Sequence, residues 1–98
     1  MNKLSLKVLN IFNKKAQPEK RNRAALSALW DLGFDRGKAR KALIDLNEIS
    51  LAALANGITK PTLYATLYGK TENRKAKEIL AGSLGLKIEE MFPEAVNQ

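Results

Sequence analysis

Apolar residues recur at helical spacing along most of this chain, and prolines and glycines interrupt the repeats. The first repeat is formed by Leu4, Val8, Ile11 and Phe12. It predicts an amphipathic helix that ends before Pro18, because proline lacks the amide that would continue the helix. No four-residue window alternates β-branched or aromatic residues with polar ones between turn signals. The pattern therefore predicts an all-α protein.

Start and stop signals divide the rest of the chain into further helices. Pro18 suits the first turn of a second helix and Gly33 its end. Asp35, Ser50 and Thr59 are residue types that cap helix N-termini. The predicted helices run from Pro18 to a stop at Gly33, from Asp35 to an end at Asn47-Glu48, over a short segment after Ser50, and over residues 60–68 and about 74–84. A last turn over residues 88–91 is closed by Pro93.

The apolar faces of these helices predict the core. Its expected members are Leu26, Leu29, Trp30, Ala39, Ala42, Leu43, Leu46, Leu51, Leu54, Ile58, Leu63, Leu67, Ala76, Ile79, Leu80 and Leu84. Burying each large apolar side chain contributes roughly 1.5–3 kcal/mol. In the helix over residues 36–46, this assignment leaves Arg36, Lys38, Arg40 and Lys41 to the other faces.

The segment from Ser50 to Gly69 reads as two short helices separated by Asn56 and Gly57, residues that tolerate positive φ. This is the layout of a helix-turn-helix. Leu63 and Leu67, four residues apart, turn one side of its second helix inward. Its other side carries donors, small residues and aromatics, a mixture that suits a surface laid against DNA.

Composition excludes several classes of function. The chain has 98 residues, about one domain, with neither cysteine nor histidine. Disulfides, thiolate metal sites and imidazole catalysis are therefore excluded, and no carboxylate pair or phosphate-binding loop replaces them. We predict a protein that is not an enzyme and holds no cofactor or metal. No apolar run approaches the roughly 18 residues of a membrane span, and lysines interrupt the apolar residues of the N-terminus, so we expect a cytoplasmic location.

The charge of the chain is +7 at neutral pH, and its two halves share it unequally. Residues 1–48 hold eleven basic and five acidic side chains, whereas residues 49–98 hold six and five. Such an excess favours binding to phosphates, with a few neutral side chains left to read base edges. A lysine-rich solvated surface would explain the same excess.

The second helix of the motif and the residues after it supply the candidate DNA contacts. They are Thr59, Lys60, Pro61, Thr62, Tyr64, Ala65, Tyr68, Lys70, Asn73, Arg74 and Lys75. Lys60 and Tyr64 are candidates for base or phosphate contacts, and Arg74 with Lys75 for phosphate contacts. Two other interpretations remain open: Lys60 is merely solvated, and Tyr64 covers the neighbouring helix with its ring. Tyr68 is expected to lie partly in the core.

From about Asp35 to Pro93 the chain resembles the Ner-like regulators of transposable phages, within the phage-repressor helix-turn-helix superfamily. The resemblance depends most on Pro61-Thr62-Leu63 followed by Leu67, and on Leu84-Gly85-Leu86 leading to Met91-Phe92-Pro93. It implies that residues 60–68 form a recognition helix that enters the major groove. It also implies duplex DNA as the partner and transcriptional regulation as the function.

One departure from the family pattern lies between Leu54 and Gly57, where this chain is shorter. Either the first helix of the motif is shortened, or the two helices meet at an altered angle. Residues 1–34 have no counterpart in that family. We therefore divide the chain into an N-terminal helical extension, residues 1–34, and a helix-turn-helix domain, residues 35–98, which gives the fold two extra N-terminal helices.

The extension allows several functions. Lys14, Lys15, Lys20, Arg21 and Arg23 bracket Pro18, as a phosphate-binding arm or a solvated helix junction would. The apolar stripes of the first two helices would either complete one core with the third helix or form the surface of a homodimer. A homodimer would let two recognition helices read paired half-sites. An antitoxin-type autoregulator would instead hold a protein partner there.

A weaker resemblance defines a function without DNA. The run from Leu29 to Phe34, followed by Ala39, Ala42-Leu43 and Asn47, is similar to a ubiquitin-associated-type three-helix domain. It implies a protein-binding module whose exposed surface is Gly33-Phe34 and not the helix that begins at Lys60. Exposure of each surface therefore bears on the choice between them.

Overall fold

The computed structural model describes residues 18–95. Within this range the chain forms six α-helices and a closing 3₁₀ turn. They are α1 (Pro18–Asp31), α2 (Arg36–Leu46), α3 (Leu51–Leu54), α4 (Lys60–Leu67), α5 (Arg74–Ser83), α6 (Ile88–Met91) and the 3₁₀ turn Pro93–Ala95. No strand occurs among these residues, and the predicted all-α class is confirmed. The first predicted helix, with its stripe from Leu4 to Phe12, lies outside the described residues.

Local signals explain where the helices begin. The side chains of Asp35, Ser50 and Thr59 accept hydrogen bonds from the amide three residues further on, which confirms all three as N-caps. Asn73 does the same for α5, where its Oδ1 accepts from the amide of Ala76 at 2.9 Å. These bonds satisfy amides that have no acceptor within their own helix.

The core is continuous from α1 to the 3₁₀ turn. Its buried apolar members are Leu26, Ala39, Leu43, Ile44, Leu51, Leu63, Leu67, Ala76, Leu80, Ala81, Leu84, Leu86, Met91 and Phe92. Leu29, Trp30, Leu54 and Ile58 pack against it half-buried. Most of the predicted core is therefore in place. No described helix combines the length and apolar character that crossing a bilayer requires.

The buried face of α2 is rotated from the predicted one. Leu46 was expected inside but is 74 % exposed, whereas Ile44 is buried. Arg40 was expected on another face but is 1 % exposed. The buried side of α2 is centred on Arg40, Leu43 and Ile44, and Leu46, the last residue of the helix, falls outside it. Arg40 can belong to this buried face because it finds hydrogen-bond acceptors in the interior.

The guanidinium of Arg40 joins three segments that are distant in sequence. Its Nε donates to the carbonyl of Leu67 at 2.7 Å, at the end of α4. Its Nη1 donates to the carbonyl of Met91 at 2.9 Å and to Oε1 of Glu94 at 2.8 Å. Burial lowers the pKa of Arg40 and Glu94 counteracts this, but arginine starts so basic that it stays charged at neutral pH. Arg40 therefore fixes the end of α4.

The helix α1 packs on α2 and α6. Asn22, 1 % exposed, donates from Nδ2 to the carbonyl of Leu84 at 3.0 Å and accepts from Nδ2 of Asn47 at 2.9 Å. Arg23 forms an ion pair with Glu90 of α6. The described part of the extension thus shares the core of the later helices, and the division between residues 34 and 35 stays a prediction.

Candidate nucleic-acid interface

The helices α3 and α4 hold the candidate interface. The four residues of α3 form a single turn, so of the two alternatives for the short connection, the structure has the shortened helix. Gly57 follows with a φ of 80°, in the left-handed region that favours glycine. Thr59 then caps α4, and Pro61 occupies its first turn, where a missing amide costs nothing.

One side of α4 is fully buried and the other is open. Leu63 and Leu67 are both 0 % exposed, and Thr66 is buried with its hydroxyl donating to the carbonyl of Thr62 at 2.7 Å. None of the candidate contact residues is buried. Those classed as exposed are Thr59, Lys60, Pro61, Tyr68, Lys70, Arg74 and Lys75, and those half-buried are Thr62, Tyr64, Ala65 and Asn73. The structure brings these residues together at α4 and the beginning of α5.

Tyr64 lies between two lysines. The Nζ of Lys60 is 5.9 Å from the centre of its ring, and the Nζ of Lys41, on α2, is 5.8 Å away. The ring is half-buried and packs against the core, as the interpretation of Tyr64 as a cover for the neighbouring helix expects. The hydrogen bond from Lys41 to Asp45 raises the pKa of Lys41, so this ammonium is charged at neutral pH. Of the two ammonium groups near the ring, that of Lys41 is thus paired with Asp45, and that of Lys60 forms no ion pair among the described residues.

Tyr68 marks a close approach between α2 and α4. A Cβ atom added to Gly37 would lie 2.6 Å from Cδ1 of Tyr68 and 2.7 Å from its Cα, so no other residue fits at position 37 without displacement. Tyr68 is 38 % exposed, and part of its ring covers α2. A glycine inside a helical pattern was the available sequence signal for this contact.

The candidate residues at the start of α5 differ in the contacts that their side chains make. Asn73 uses its side-chain oxygen to cap α5. Arg74 lies 3.6 Å from Glu78 in an exposed pair one helical turn apart, which contributes little to stability. The Nζ of Lys75 is 3.6 Å from the position that a Cβ on Gly57 would take, so this lysine reaches the turn between α3 and α4.

The side-chain charge within α3, the turn and α4 is positive only. From Ile49 to Thr71 the chain contains no acidic residue, so α3, the turn and α4 present no carboxylate of their own. Among the described residues, Lys60, Lys70 and Lys75 take part in no ion pair, whereas Lys77 pairs with Glu72 at 2.7 Å. A lysine that forms no ion pair within the protein can neutralise a phosphate, which releases cations condensed on the DNA.

Comparison of the chain with models of known protein families, with curated proteins and with solved structures found no match. The resemblance to Ner-like regulators stays a prediction, and the geometry of the surface carries the functional inference.

A cleft between α1 and α2 lies apart from this surface. This open cleft of about 230 Å³ is lined by Arg21, Asn22, Ala25, Leu43, Leu46 and Asn47. Its polar side chains bind one another, with Nη2 of Arg21 donating to Oδ1 of Asn47 at 2.7 Å. No group of three or more acidic residues that could hold a metal ion occurs within residues 18–95.

The surface expected for a protein-binding module is also open. Leu32 is 75 % and Phe34 is 53 % exposed, on either side of Gly33 in the turn between α1 and α2. That alternative required this turn, and not the helix at Lys60, to be exposed. Both surfaces are exposed, so exposure does not discriminate between the two functions. The two surfaces differ in charge, because the segment that holds α4 contains no acidic residue.

Proposed function

We propose that this protein is a sequence-specific regulator of transcription that binds duplex DNA in the manner of Ner-like and other phage-repressor-type helix-turn-helix proteins. In this proposal α3 and α4 form the helix-turn-helix, and α4 enters the major groove. The supporting observation is the surface of α4, which buries Leu63 and Leu67 and presents Lys60 and Tyr64 within a segment free of carboxylates. Such a surface meets phosphates without repulsion and offers neutral and cationic donors to base edges.

The contacts divide into two kinds in this proposal. Lys60, Pro61, Tyr64 and Ala65 face base edges near the N-terminal half of α4, because that is the part of a recognition helix that reaches into the groove. Lys70, Arg74 and Lys75 bind phosphates, together with the amides at the start of α4 beside Thr59. A homodimer places two copies of α4 on paired half-sites, about 34 Å apart along the duplex. The regulator acts in the cytoplasm.

Selection from a random duplex library tests the proposal directly. The purified full chain is incubated with the library at about physiological salt, and bound sequences are amplified and compared. Enrichment of an inverted repeat with half-sites about one helical turn apart supports a dimeric, sequence-specific regulator. Binding without enrichment contradicts base reading, and absence of binding contradicts the DNA function altogether.

Substitution then assigns the two kinds of contact. Replacing Lys60 and Tyr64 by alanine should weaken binding to the selected site by about tenfold or more, with a much smaller loss on unrelated duplexes. Lys75→Ala should weaken both alike and flatten the salt dependence. Lys87→Ala, which removes an exposed charge at the start of α6, is the matched control. Equal losses on every duplex would contradict the base-reading role of α4.

A second candidate function is favoured by the exposed turn that holds Leu32 and Phe34. In that case the chain binds another protein through this turn, either without DNA or as an antitoxin-type autoregulator that also binds its operator. Replacing Leu32 and Phe34 by serine leaves DNA binding unchanged if α4 is the functional surface. A loss of selective DNA binding in this variant, with folding intact, would show that the turn contributes to the DNA-bound assembly, as a dimer contact would.

A further inference from the structure

Two lysines of α2, the exposed Lys38 and the half-buried Lys41, lie beside the open face of α4. Gly37 touches Tyr68, so the first turn of α2 lies against the end of α4. Lys38 is the next residue and is exposed. Lys41 follows three positions later, on the same side of the helix, and its Nζ is 5.8 Å from the ring of Tyr64. The side of α2 that carries Lys38 and Lys41 is therefore adjacent to Tyr64 and Tyr68 at α4.

These two lysines differ in what holds them. Within residues 18–95 the ammonium of Lys38 forms no ion pair, and only its backbone amide is used, donating to Oδ2 of Asp35. The ammonium of Lys41 donates to both carboxylate oxygens of Asp45, at 2.8 Å and 2.9 Å. Asp45 is exposed, although Lys41 is half-buried, and a pair one helical turn apart with an exposed carboxylate is weak, so a phosphate can replace Asp45. Lys38 is thus free, and Lys41 is restrained by one carboxylate.

We propose that Lys38 and Lys41 bind phosphate groups of the duplex whose groove α4 enters, so that the DNA interface is built by α2, α4 and the start of α5. This inference rests on the proposed function and extends it to a helix outside the helix-turn-helix. The major groove is about 12 Å wide, and an α-helix with its side chains is about as thick. A helix that fills the groove therefore brings its neighbours to the flanking phosphates, and a lysine ammonium binds these as a point charge.

The geometry assigns an opposing function to Asp45. While Asp45 holds Lys41, it withdraws one cation from the interface and adds one negative charge beside it. Its replacement by asparagine removes both effects while keeping the size of the side chain. The interface thus contains a carboxylate that weakens binding to every duplex alike.

The salt dependence of binding tests this inference. The full chain is titrated onto a fluorescently labelled duplex between about 50 and 200 mM salt, and the slope of log K against log salt is measured. The duplex is the selected site or, if no site is enriched, one of arbitrary sequence. Each lysine that contacts a phosphate contributes about 0.9 to the slope. Lys38→Ala should reduce the magnitude of the slope by about this amount. Lys38→Arg should leave the slope as in the unmodified protein.

Two further variants separate local contact from general charge. Lys87→Ala removes the same charge elsewhere and should leave the slope as in the unmodified protein. Asp45→Asn should tighten binding to all duplexes by a similar factor. Thermal melting of each variant checks that the fold is retained, as expected for exposed side chains.

The outcomes distinguish this inference from the function on which it rests. If the unmodified chain binds no duplex, both are overturned. If it binds, and Lys75→Ala flattens the slope while Lys38→Ala does not, the DNA function stands and the contribution of α2 is refuted. Equal slopes for Lys38→Ala and Lys87→Ala, or no gain with Asp45→Asn, would refute it too.

Discussion

The cations of the interior and the cations around α4 are used in different ways. Arg40 is 1 % exposed and donates to two carbonyls and a carboxylate, and its guanidinium lies 4.6 Å from the centre of the Phe92 ring. Lys77 is 5 % exposed, pairs with Glu72 and lies 5.6 Å from the centre of the same ring. Around α4, by contrast, Lys38 and Lys60 are exposed and form no ion pair among the described residues.

The difference shows that the net charge does not by itself identify a binding surface. A buried cation must have its own acceptors, because removing it from water is costly. It is therefore compensated within the fold and offers nothing to a ligand. An exposed cation without an acidic neighbour is free to neutralise a phosphate and so to release cations condensed on the DNA. Four lysines of the second kind lie around α4 and the turn before it: Lys38, Lys60, Lys70 and Lys75.

Loss of Arg40 should have the largest effect on stability. Replacing it with methionine leaves the carbonyls of Leu67 and Met91 and the carboxylate of Glu94 without their donor. The two buried carbonyls left without a donor cost about 1–3 kcal/mol each, whereas Glu94, whose side chain is 38 % exposed, regains water. Urea denaturation followed by circular dichroism measures the loss.

Arg36→Ala is the control for this prediction. Arg36 is half-exposed and lies 3.9 Å from the same glutamate, so it should cost less than about 1 kcal/mol. Similar losses in the two variants would contradict the distinction between buried and exposed cations.

Adding a side chain at Gly37, where α2 and α4 are in close contact, should have the next largest effect on stability. Gly37→Ala places a methyl group 2.6 Å from the ring of Tyr68 and 2.7 Å from its Cα, and the backbone there cannot yield cheaply. We expect a destabilisation of about 1–3 kcal/mol, because overpacking forces neighbouring groups apart. The same change shifts the lysines of α2 relative to α4, so DNA affinity should fall as well.

Gly82→Ala gives the matched comparison on α5. A Cβ at Gly82 meets nothing within 4 Å, so alanine should stabilise the helix by about 0.5–1 kcal/mol. Thermal melting of the two variants should therefore show shifts of opposite sign. Stabilisation by Gly37→Ala would mean that α2 and α4 are less closely packed than described.

The ion pair between Arg23 and Glu90 should have a smaller, pH-dependent effect. The amide of Lys87 and then the guanidinium of Arg23 hold the pKa of Glu90 below its usual value. The charged carboxylate thus contributes stability above the pKa of the unfolded chain, about 4.3, and this stability is lost as the pH falls through the lower folded pKa.

Glu90→Gln should therefore lower stability near neutral pH by less than about 1 kcal/mol. The difference from the unmodified protein should shrink as the pH falls through the acid range. Denaturation curves recorded from neutral to acidic pH check this. A constant difference at every pH would show that the charge of Glu90 contributes nothing.

The unpaired lysines should have the smallest effect on stability. Replacing Lys70 and Lys75 together by alanine should leave the melting temperature unchanged or slightly raised, because two mutually repelling charges are removed from the surface. A marked fall in the melting temperature would show that these lysines hold the fold, and the comparison between the two sets of cations would no longer stand.

The sequence by itself determined the helices and most of the core. Asp35, Ser50 and Thr59 cap helices because their side-chain oxygens reach amides only three residues away. Pro18 and the apolar spacing act over similarly short distances. Such local signals can be read from neighbouring residues alone, and the same holds for the open face of α4, which follows from the inward spacing of Leu63 and Leu67.

The tertiary structure alone decided which face of α2 is buried and what lies beside α4. Arg40 points inward because the carbonyls of Leu67 and Met91, far along the chain, converge on it. The contact of Gly37 with Tyr68, and with it the position of Lys38, also joins segments distant in sequence. Periodicity describes a helix relative to its own axis, and only packing fixes the rotation of that helix against its neighbours.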